Sequence, residues 1–429
     1  MPRVLLLMTT ATYRAGAFLD AARSLGVAVV VGSERVQALA SLHPGGHLTF
    51  DFADEVLAAI EIETFARGNP LDAVIATDDD GAILAARAAE RIGLEHAPVA
   101  AVRAARSKLA SRVAFARAGL PTPRFEAFPS ASDPLGLARR VAYPCVLKPL
   151  HLAASRGVIR ANDEAELVAA FARIATLLGR TGPWAPGGEE ARSILIEDYI
   201  PGIEVAVEGI VTAGRLRVLA IFDKPDPLDG PYFEETIYVT PSRLAPALQE
   251  AIAAATQRAV TALGLAHGPV HAELRLDGER VWPLEIAPRS IGGLCSRALR
   301  FGDGISLEEL ILRHALGNDV TSLVREPGAA GVMMIPIPRA GILESVGGIE
   351  TAGAVPGIED VRITIPIGHE VVPLPEGSRY LGFVFARAES PEQVECALRE
   401  AHGRLRIDIA SPPPAIAGRA GRANEGALE

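Results

Sequence analysis

HAELRLDGERVWPLEIAPRSIGG, residues 271–293, is the stretch on which the reading of the fold turns. Two apolar runs flank Asp277-Gly278, a dipeptide typical of a tight β-hairpin. Each run carries a glutamate, Glu273 in AEL and Glu285 in LEI, where a solvated charge would not lie. Two buried carboxylates repel unless a cation sits between them, and their hard oxygens suit Mg2+. A two-residue Asp-Gly loop would set Glu273 opposite Trp282 and turn Glu285 to the other face. Both reach one face only through an odd loop or a bulge, so the sequence predicts such an irregularity. Arg289 and Gly292-Gly293 follow at once, placing a fork of donors and an open backbone beside the pair.

Working back along the chain, the cations are uneven. Only Lys108, Lys148 and Lys224 are lysine; the other 39 of the 42 basic residues are arginine. Lys148 closes the apolar run YPCVLKP and precedes a small-residue loop with Ser155, Arg156 and Gly157. A compact ammonium beside such a loop suits phosphate oxygens, whereas the bland reading is a lysine snorkelling at a strand end. In ILIEDYIPGIEVAVEGIV (194–211), a strand with Glu197 runs into Tyr199 and Ile200, a Pro-Gly turn and Glu204. Backbone groups there can clamp a purine ring, and a carboxylate seven residues on can bind ribose hydroxyls.

Length and composition bound the alternatives. A chain of 429 residues exceeds one ordinary core, and 49% apolar with 22% charged residues is globular. The net charge of −10 argues against nucleic acid or an anionic membrane as partner. Cys145, Cys295 and Cys396 lie far apart, which excludes a disulfide framework or ordinary zinc spacing and fits a reducing cytoplasm. The run Val4–Met8 is too short for a signal peptide or a span, and reads as a first parallel strand.

Residues 3–8, 27–32 and 72–76 are apolar runs separated by helical spacing, which predicts an open parallel α/β unit. Its first turn, TTATYR, lacks G-x-G-x-x-G, so dinucleotide binding is not expected. Asp78, Asp79 and Asp80 read as cap and first-turn residues rather than a metal site. Helices are expected at about 106–118, 163–178, 243–263 and 306–316, with a loop at 181–190. Alternation returns after 320 as a small α+β unit, and the Pro-, Gly- and Ala-rich tail from 411 reads as disordered.

In this order, the motifs resemble the ATP-grasp superfamily of carboxylate–amine ligases over about 1–315. The carriers are Lys108 before AGLPTP, Lys148 with its Ser-Arg-Gly-Val loop, Glu197…Glu204, and Glu273…Glu285-x-x-x-Arg289. The resemblance implies an ATP-grasp fold in a mixed α/β and α+β chain. Its divisions are an N-terminal open parallel α/β domain (1–105), a two-lobed ATP-grasp domain (106–318) and a small C-terminal α+β domain (319–410). It implies ATP and Mg2+, or Mn2+ in its place. Lys108, Lys148 and the Ser155–Gly157 loop would lie at the phosphates, Glu197, Tyr199 and Ile200 at adenine, Glu204 at the ribose. Glu273 and Glu285 would ligate the metal, and Arg289 would meet the transferred phosphoryl group or the substrate carboxylate.

FDKPDPLDGPYFEETIYVTPSRL (222–244) and EIAPRSIGG look most like the L-amino acid ligases, which join amino acids into dipeptides. Lys224, Glu234 and Glu235, with Arg289, Gly292 and Gly293, would then face the substrates, and a homodimer through the N-terminal domain is expected. Two departures stand out: Ala287 replaces an Asn common two residues after the second metal glutamate, and the lid loop has one glycine. Two alternatives stay open, a synthetase or carboxylase of nucleotide or cofactor biosynthesis and a non-catalytic ATP-binding sensor.

Overall fold

A computed structural model describes residues 1–10, 12–36, 46–180 and 188–411. The expected disordered tail and most of the 181–190 loop lie outside the described residues. The first sheet is parallel, β3-β2-β1-β4, from β1 (Arg3–Leu7), β2 (Ala28–Ser33), β3 (His47–Thr49) and β4 (Ala73–Ala76). Helices α1 (Ala15–Ser24), α2 (Glu55–Gly68) and α3 (Ala82–Ile92) cover it. α2 has no counterpart in the sequence reading; Asp54 caps it, accepting from Leu57 N at 3.0 Å. The helix expected over 106–118 is α5 (Lys108–Arg117), capped by Ser107, and a further helix, α4 (Val99–Arg106), precedes it.

A second, antiparallel sheet, β5-β8-β6-β7, forms a lobe of its own with α6 (Pro134–Ala138) and α7 (Glu164–Arg180). Its strands are β5 (Phe125–Pro129), β6 (Cys145–Pro149), β7 (Ile159–Ala161) and β8 (Ser193–Asp198). The third sheet is the floor of the molecule. β9 (Ile203–Thr212), β10 (Arg215–Asp223), β11 (Ile237–Thr240), β12 (Gly268–Asp277) and β13 (Arg280–Ala287) begin it, with α8 (Pro246–Leu263) packed beneath. After the short pair β14 (Arg300–Phe301) and β15 (Ile305–Ser306) and helix α9 (Leu307–Ala315), the same sheet resumes. β16 (Ala329–Ile335) pairs with β11, and the order closes as β13-β12-β9-β10-β11-β16-β20-β18. The remaining elements are β17 (Gly341–Gly347), α10 (Ile349–Gly353), β18 (Ile358–Ile363), β19 (Glu370–Val371), β20 (Gly382–Ala388), α11 (Pro391–Gly403) and β21 (Arg406–Ala410). The C-terminal strands β16, β20 and β18 therefore extend the floor without a break.

β9 is central and buried on both faces, so it reads as one apolar run. Val205, Val207 and Val211 pack on α5 and α8; Ala206 and Ile210 face the core shared with α1 and α9. Glu204 and Glu208 belong to this second face by the two-residue period. Across the ladder, Arg275 pairs with Glu204, His271 with Glu208 and Glu273 with Ala206, so one face of two strands carries five ionisable groups.

Candidate active site

The hairpin of 271–293 has the irregularity that the glutamates demand. Its two-residue loop is Gly278-Glu279, one position on from the expected Asp277-Gly278, since Asp277 still pairs with Arg280. The register then slips at Leu284: Leu274 faces Pro283, but Glu273 faces Glu285. The bulge brings both carboxylates to one face. A bulged residue leaves its carbonyl off the ladder, and Arg112 of α5 answers it. Arg112 Nη1 donates to Leu284 O at 2.8 Å and to Pro283 O at 3.2 Å.

The same guanidinium grips the lobe above. Arg112 Nε and Nη2 donate to Glu197 Oε2 and Oε1 at 2.8 and 3.1 Å, and Lys148 Nζ lies 2.5 Å from Oε1. Burial opposes the charge on Glu197, yet Arg112 and Lys148 outweigh it and hold its pKa at about 2. Glu197 thus anchors Lys148 rather than presenting a free carboxylate. Lys108, at the start of α5, donates to Leu152 O at 2.6 Å and lies 3.9 Å from Glu285. Burial, then the charges of Lys148 and Arg106, lower its pKa, against the pull of Glu285. Both lysines open onto one cleft between the second sheet and the floor.

That cleft holds about 670 Å3, its mouth included, a size suited to a small molecule. Lys108, Lys148, Ser155, Glu197, Tyr199, Ile200, Glu204, Glu273 and Glu285 all line it, with apolar walls from Val146, Val158, Phe233 and Leu284. Tyr199 N donates to Pro144 O at 3.1 Å and Ile200 O accepts from Arg275 at 2.6 Å. What these two residues can offer a ring is therefore the other backbone group of each. Gly202 makes the turn after them: its φ is +98°, and a Cβ would fall 1.9 Å from Leu276 O.

Arg156 and Gly157 do not line the cleft. Arg156 Nε donates to Glu376 O and Gly157 N to Pro375 O, both at 2.9 Å, so the loop after Lys148 docks on the C-terminal segment. Ala154 and Ser155 in that loop hold φ of +56° and +53°, backbone strain of the kind that collects at ligand clamps.

Lys224 is enclosed. Its ammonium lies 2.7 Å from Glu204 and 3.7 Å from Glu273, and it also bonds Glu235. Burial disfavours its charge, but these carboxylates outweigh that and raise its pKa well above the usual lysine value. Glu204, Glu235 and Glu273 are, among the described residues, the one acidic group whose ligand atoms could share a metal, all within 4.8 Å. Glu285 stands outside that trio, opposite Glu273 and beside Lys108. The donor set, carboxylates on a rigid sheet, fits a hard divalent ion. Ala287 offers no ligand; it is 3% exposed and pairs with His271. Glu234 is half-buried and bonded to the backbone of Ile337.

Beyond Glu273 the polar face continues into the core. Glu208 is fully buried, accepts from Ile291 N at 3.0 Å and meets His271 Nδ1 at 3.2 Å. Burial raises the pKa of Glu208 and lowers that of His271 to about 3, so both tend to neutral forms. Arg289 follows β13 here; a Cβ on Gly292 would lie 3.9 Å from its Nη1, and one on Gly293 (φ +60°) would lie 3.0 Å from the Phe383 ring. The acidic triplet sits at the cap and first turn as expected, but Asp78 makes no side-chain capping bond and Asp79 pairs with Arg106 and Arg289.

Sequence reasoning missed Arg112, Arg275, Asp79, Glu208 and His271. Three had a signal: Arg112 is one helical turn from Lys108, and His271 and Arg275 alternate with Glu273 along one strand face.

Residues 141–298 match the ATP-grasp domain family, 19–96 the ATP-grasp N-terminal domain and 333–410 the L-amino acid ligase C-terminal domain 2. The chain is similar to the alanine–anticapsin ligase of Bacillus subtilis, 29% identical over 303 residues, covering 67% of this chain and 63% of that protein. It is also similar to the D-alanine–D-alanine ligase of Pseudomonas putida, 25% identical, covering 71% of this chain and 96% of that one. The chain spans about three fifths of the length of several curated relatives, 59% of one from Sinorhizobium fredii and 63% of the anticapsin ligase. The crystal structure of an L-amino acid ligase from Bacillus licheniformis superposes with a TM-score of 0.82 at 26% identity, covering 96% of this chain and 99% of that one.

Proposed function

We propose that this chain, which matches the ATP-grasp domain family over 141–298 and the L-amino acid ligase C-terminal domain 2 over 333–410, joins two amino acids. The reaction would be an ATP-dependent ligation through an acyl phosphate. The observation that carries the reading is the bulged hairpin: it sets Glu273 against Glu285 at a cleft whose other side presents Lys108 and Lys148. The similarity to ligases that act on amino acids supports the choice of substrates.

In this reading the two lysines receive the phosphates of ATP. Val146, Val158 and Leu284 offer the base an apolar slot, and Glu204 lies at the ribose end. Glu273 and Glu285 would hold Mg2+ or Mn2+, which supplies charge neutralisation between phosphate groups when bound. The substrate carboxylate oxygen takes the γ-phosphoryl group and ADP leaves. The amine then attacks the acyl carbon, phosphate departs and the nitrogen loses its proton. Arg289 is the group for the carboxylate or the phosphoryl oxygens, since it follows β13 four residues after Glu285, whose charge acts on it. The protein supplies position and charge. Lys224, Glu234 and Glu235 line no open part of the cleft, so substrate contact by them would need a change of pairing.

The test is ADP and phosphate release over paired amino acids with Mg2+. Release that depends on both amino acids, with a dipeptide in the product, is expected. ATP binding without turnover in any pairing would overturn the ligase reading in favour of a sensor. ATP consumption that requires another class of carboxylate or amine would favour a biosynthetic synthetase.

A further inference from the structure

We infer that Asp79, from the first parallel sheet, is a positioning residue for Arg289; this rests on the ligase reading, in which Arg289 meets the substrate. Arg289 Nε donates to Asp79 Oδ2 at 2.9 Å and its Nη2 lies 2.8 Å from the same oxygen. Nη1 donates to Ser290 O at 2.9 Å. A guanidinium has five N–H groups in a rigid fork. With Nε and one Nη1 proton committed and one side of Nη2 against Asp79, N–H groups remain on both terminal nitrogens. That is the end of the fork that donates to two oxygens in parallel, as a carboxylate or phosphoryl group offers.

Asp79 is itself held. Arg106 Nη1 lies 2.9 Å from its other oxygen, so one carboxylate sits between two guanidinium groups from separate parts of the chain. Burial opposes its charge, but Arg106 and Arg289 prevail and keep its pKa far below the usual value. The turn can descend onto the strand ends because Gly81 follows: a Cβ there would lie 3.2 Å from Leu7 and 3.3 Å from Ala76. Arg14, 1% exposed, makes a second tie from the same sheet, donating to Thr77 O at 2.5 Å and bonding the Ser290 hydroxyl. The residues after β13 are therefore aimed by the N-terminal sheet and not by the strand that carries them. A substrate-side arginine held at its base by a fixed charge is pre-organised, and an ångström of misplacement costs on the order of a hundredfold in rate.

Asp79→Asn keeps the shape and removes the charge. The expected result is a fall of about a hundredfold in kcat/KM for the amino acid pair, carried by kcat and the KM of the carboxylate substrate. ATP affinity, measured by calorimetric titration, should stay within about twofold, because Lys108 and Lys148 keep their own bonds to Leu152 O and Glu197. A merely structural role would lower both together. Equal kinetics in the variant and the wild type would overturn the inference. Should Asp79→Asn fail to fold, Asp79→Glu keeps the charge and displaces it by a methylene, with the same split expected. A wild type that releases no ADP with any amino acid pair would defeat the ligase reading alone. The crystal structure of the variant still decides the positioning: Arg289 in another rotamer supports it, and an unmoved guanidinium overturns it.

Discussion

The two ends of the polar face use lysine differently. At the cleft, Lys108 and Lys148 are 17% and 14% exposed, and each has one carboxylate partner. Deeper along the floor, Lys224 is 3% exposed, bonded to Glu204 and Glu235 and 3.7 Å from Glu273, with its ammonium 4.9 Å from the Tyr238 ring centre. One end keeps cations in excess and in reach of a ligand. The other has carboxylates in excess, around a cation that is already spoken for. An arriving polyanion is drawn to the first end, and a divalent cation held by Glu273 and Glu285 would compete with Lys224 for Glu273.

Lys148→Ala should give the largest effect, because an electrostatic contact to a transferring phosphoryl group is worth about 10²–10³ in kcat. ADP release measures it, and thermal stability should change little, since Arg112 still holds Glu197. Lys224→Met should do the reverse. Removing the central cation leaves Glu204 with Arg275 alone and takes from Glu235 and Glu273 the cation they share, and breaking a buried pair costs about 3–5 kcal/mol. Urea denaturation near neutral pH measures that loss. If Lys148→Ala unfolds the chain and Lys224→Met leaves stability intact, the contrast between the two ends is wrong.

Local patterns made one end legible. The scarcity of lysine, the apolar frame around Glu273 and Glu285 and the parity of a two-residue loop all lie within short windows. They led to the irregular hairpin, although its loop sits one residue further on. What supports these groups was not legible. Arg112 meets Glu197 across 85 residues and Pro283 across 171, and Asp79 meets Arg289 across 210. No periodicity singles out Asp79 from Asp78 and Asp80, because only the descent of its turn onto Leu7 and Ala76 decides which aspartate reaches inward. The continuity of the floor into β16 was hidden for the same reason: β11 and β16 pair across α8, β12, β13 and α9.

The Glu197 anchor makes a pH prediction at the cleft. Its pKa falls from 4.5 to about 2 on folding, so the stabilisation is fully present above about 4.5 and is lost as pH drops through 2. The contribution is about 3 kcal/mol. Glu197→Gln should flatten the dependence of unfolding free energy on pH between those limits by that order. An unchanged slope would mean that the carboxylate is not held by Arg112 and Lys148.

The smallest effect belongs to the docking of the Lys148 loop on the C-terminal segment. Arg173 reaches Glu376 with its Nε at 2.5 Å and its Nη2 at 2.8 Å, but the two side chains are 44% and 31% exposed. An ion pair so open to solvent contributes at most about 1 kcal/mol. The backbone bond from Gly157 to Pro375 survives its loss, as does the bond from Arg156 to the Glu376 carbonyl. Glu376→Gln should therefore raise the KM for ATP by no more than about fivefold, and the difference from wild type should shrink at high salt, where exposed charges are screened. Steady-state kinetics at two ionic strengths measures both. A salt-insensitive rise of a hundredfold would mean that Glu376 belongs with the enclosed carboxylates around Lys224 and not with the open end of the cleft.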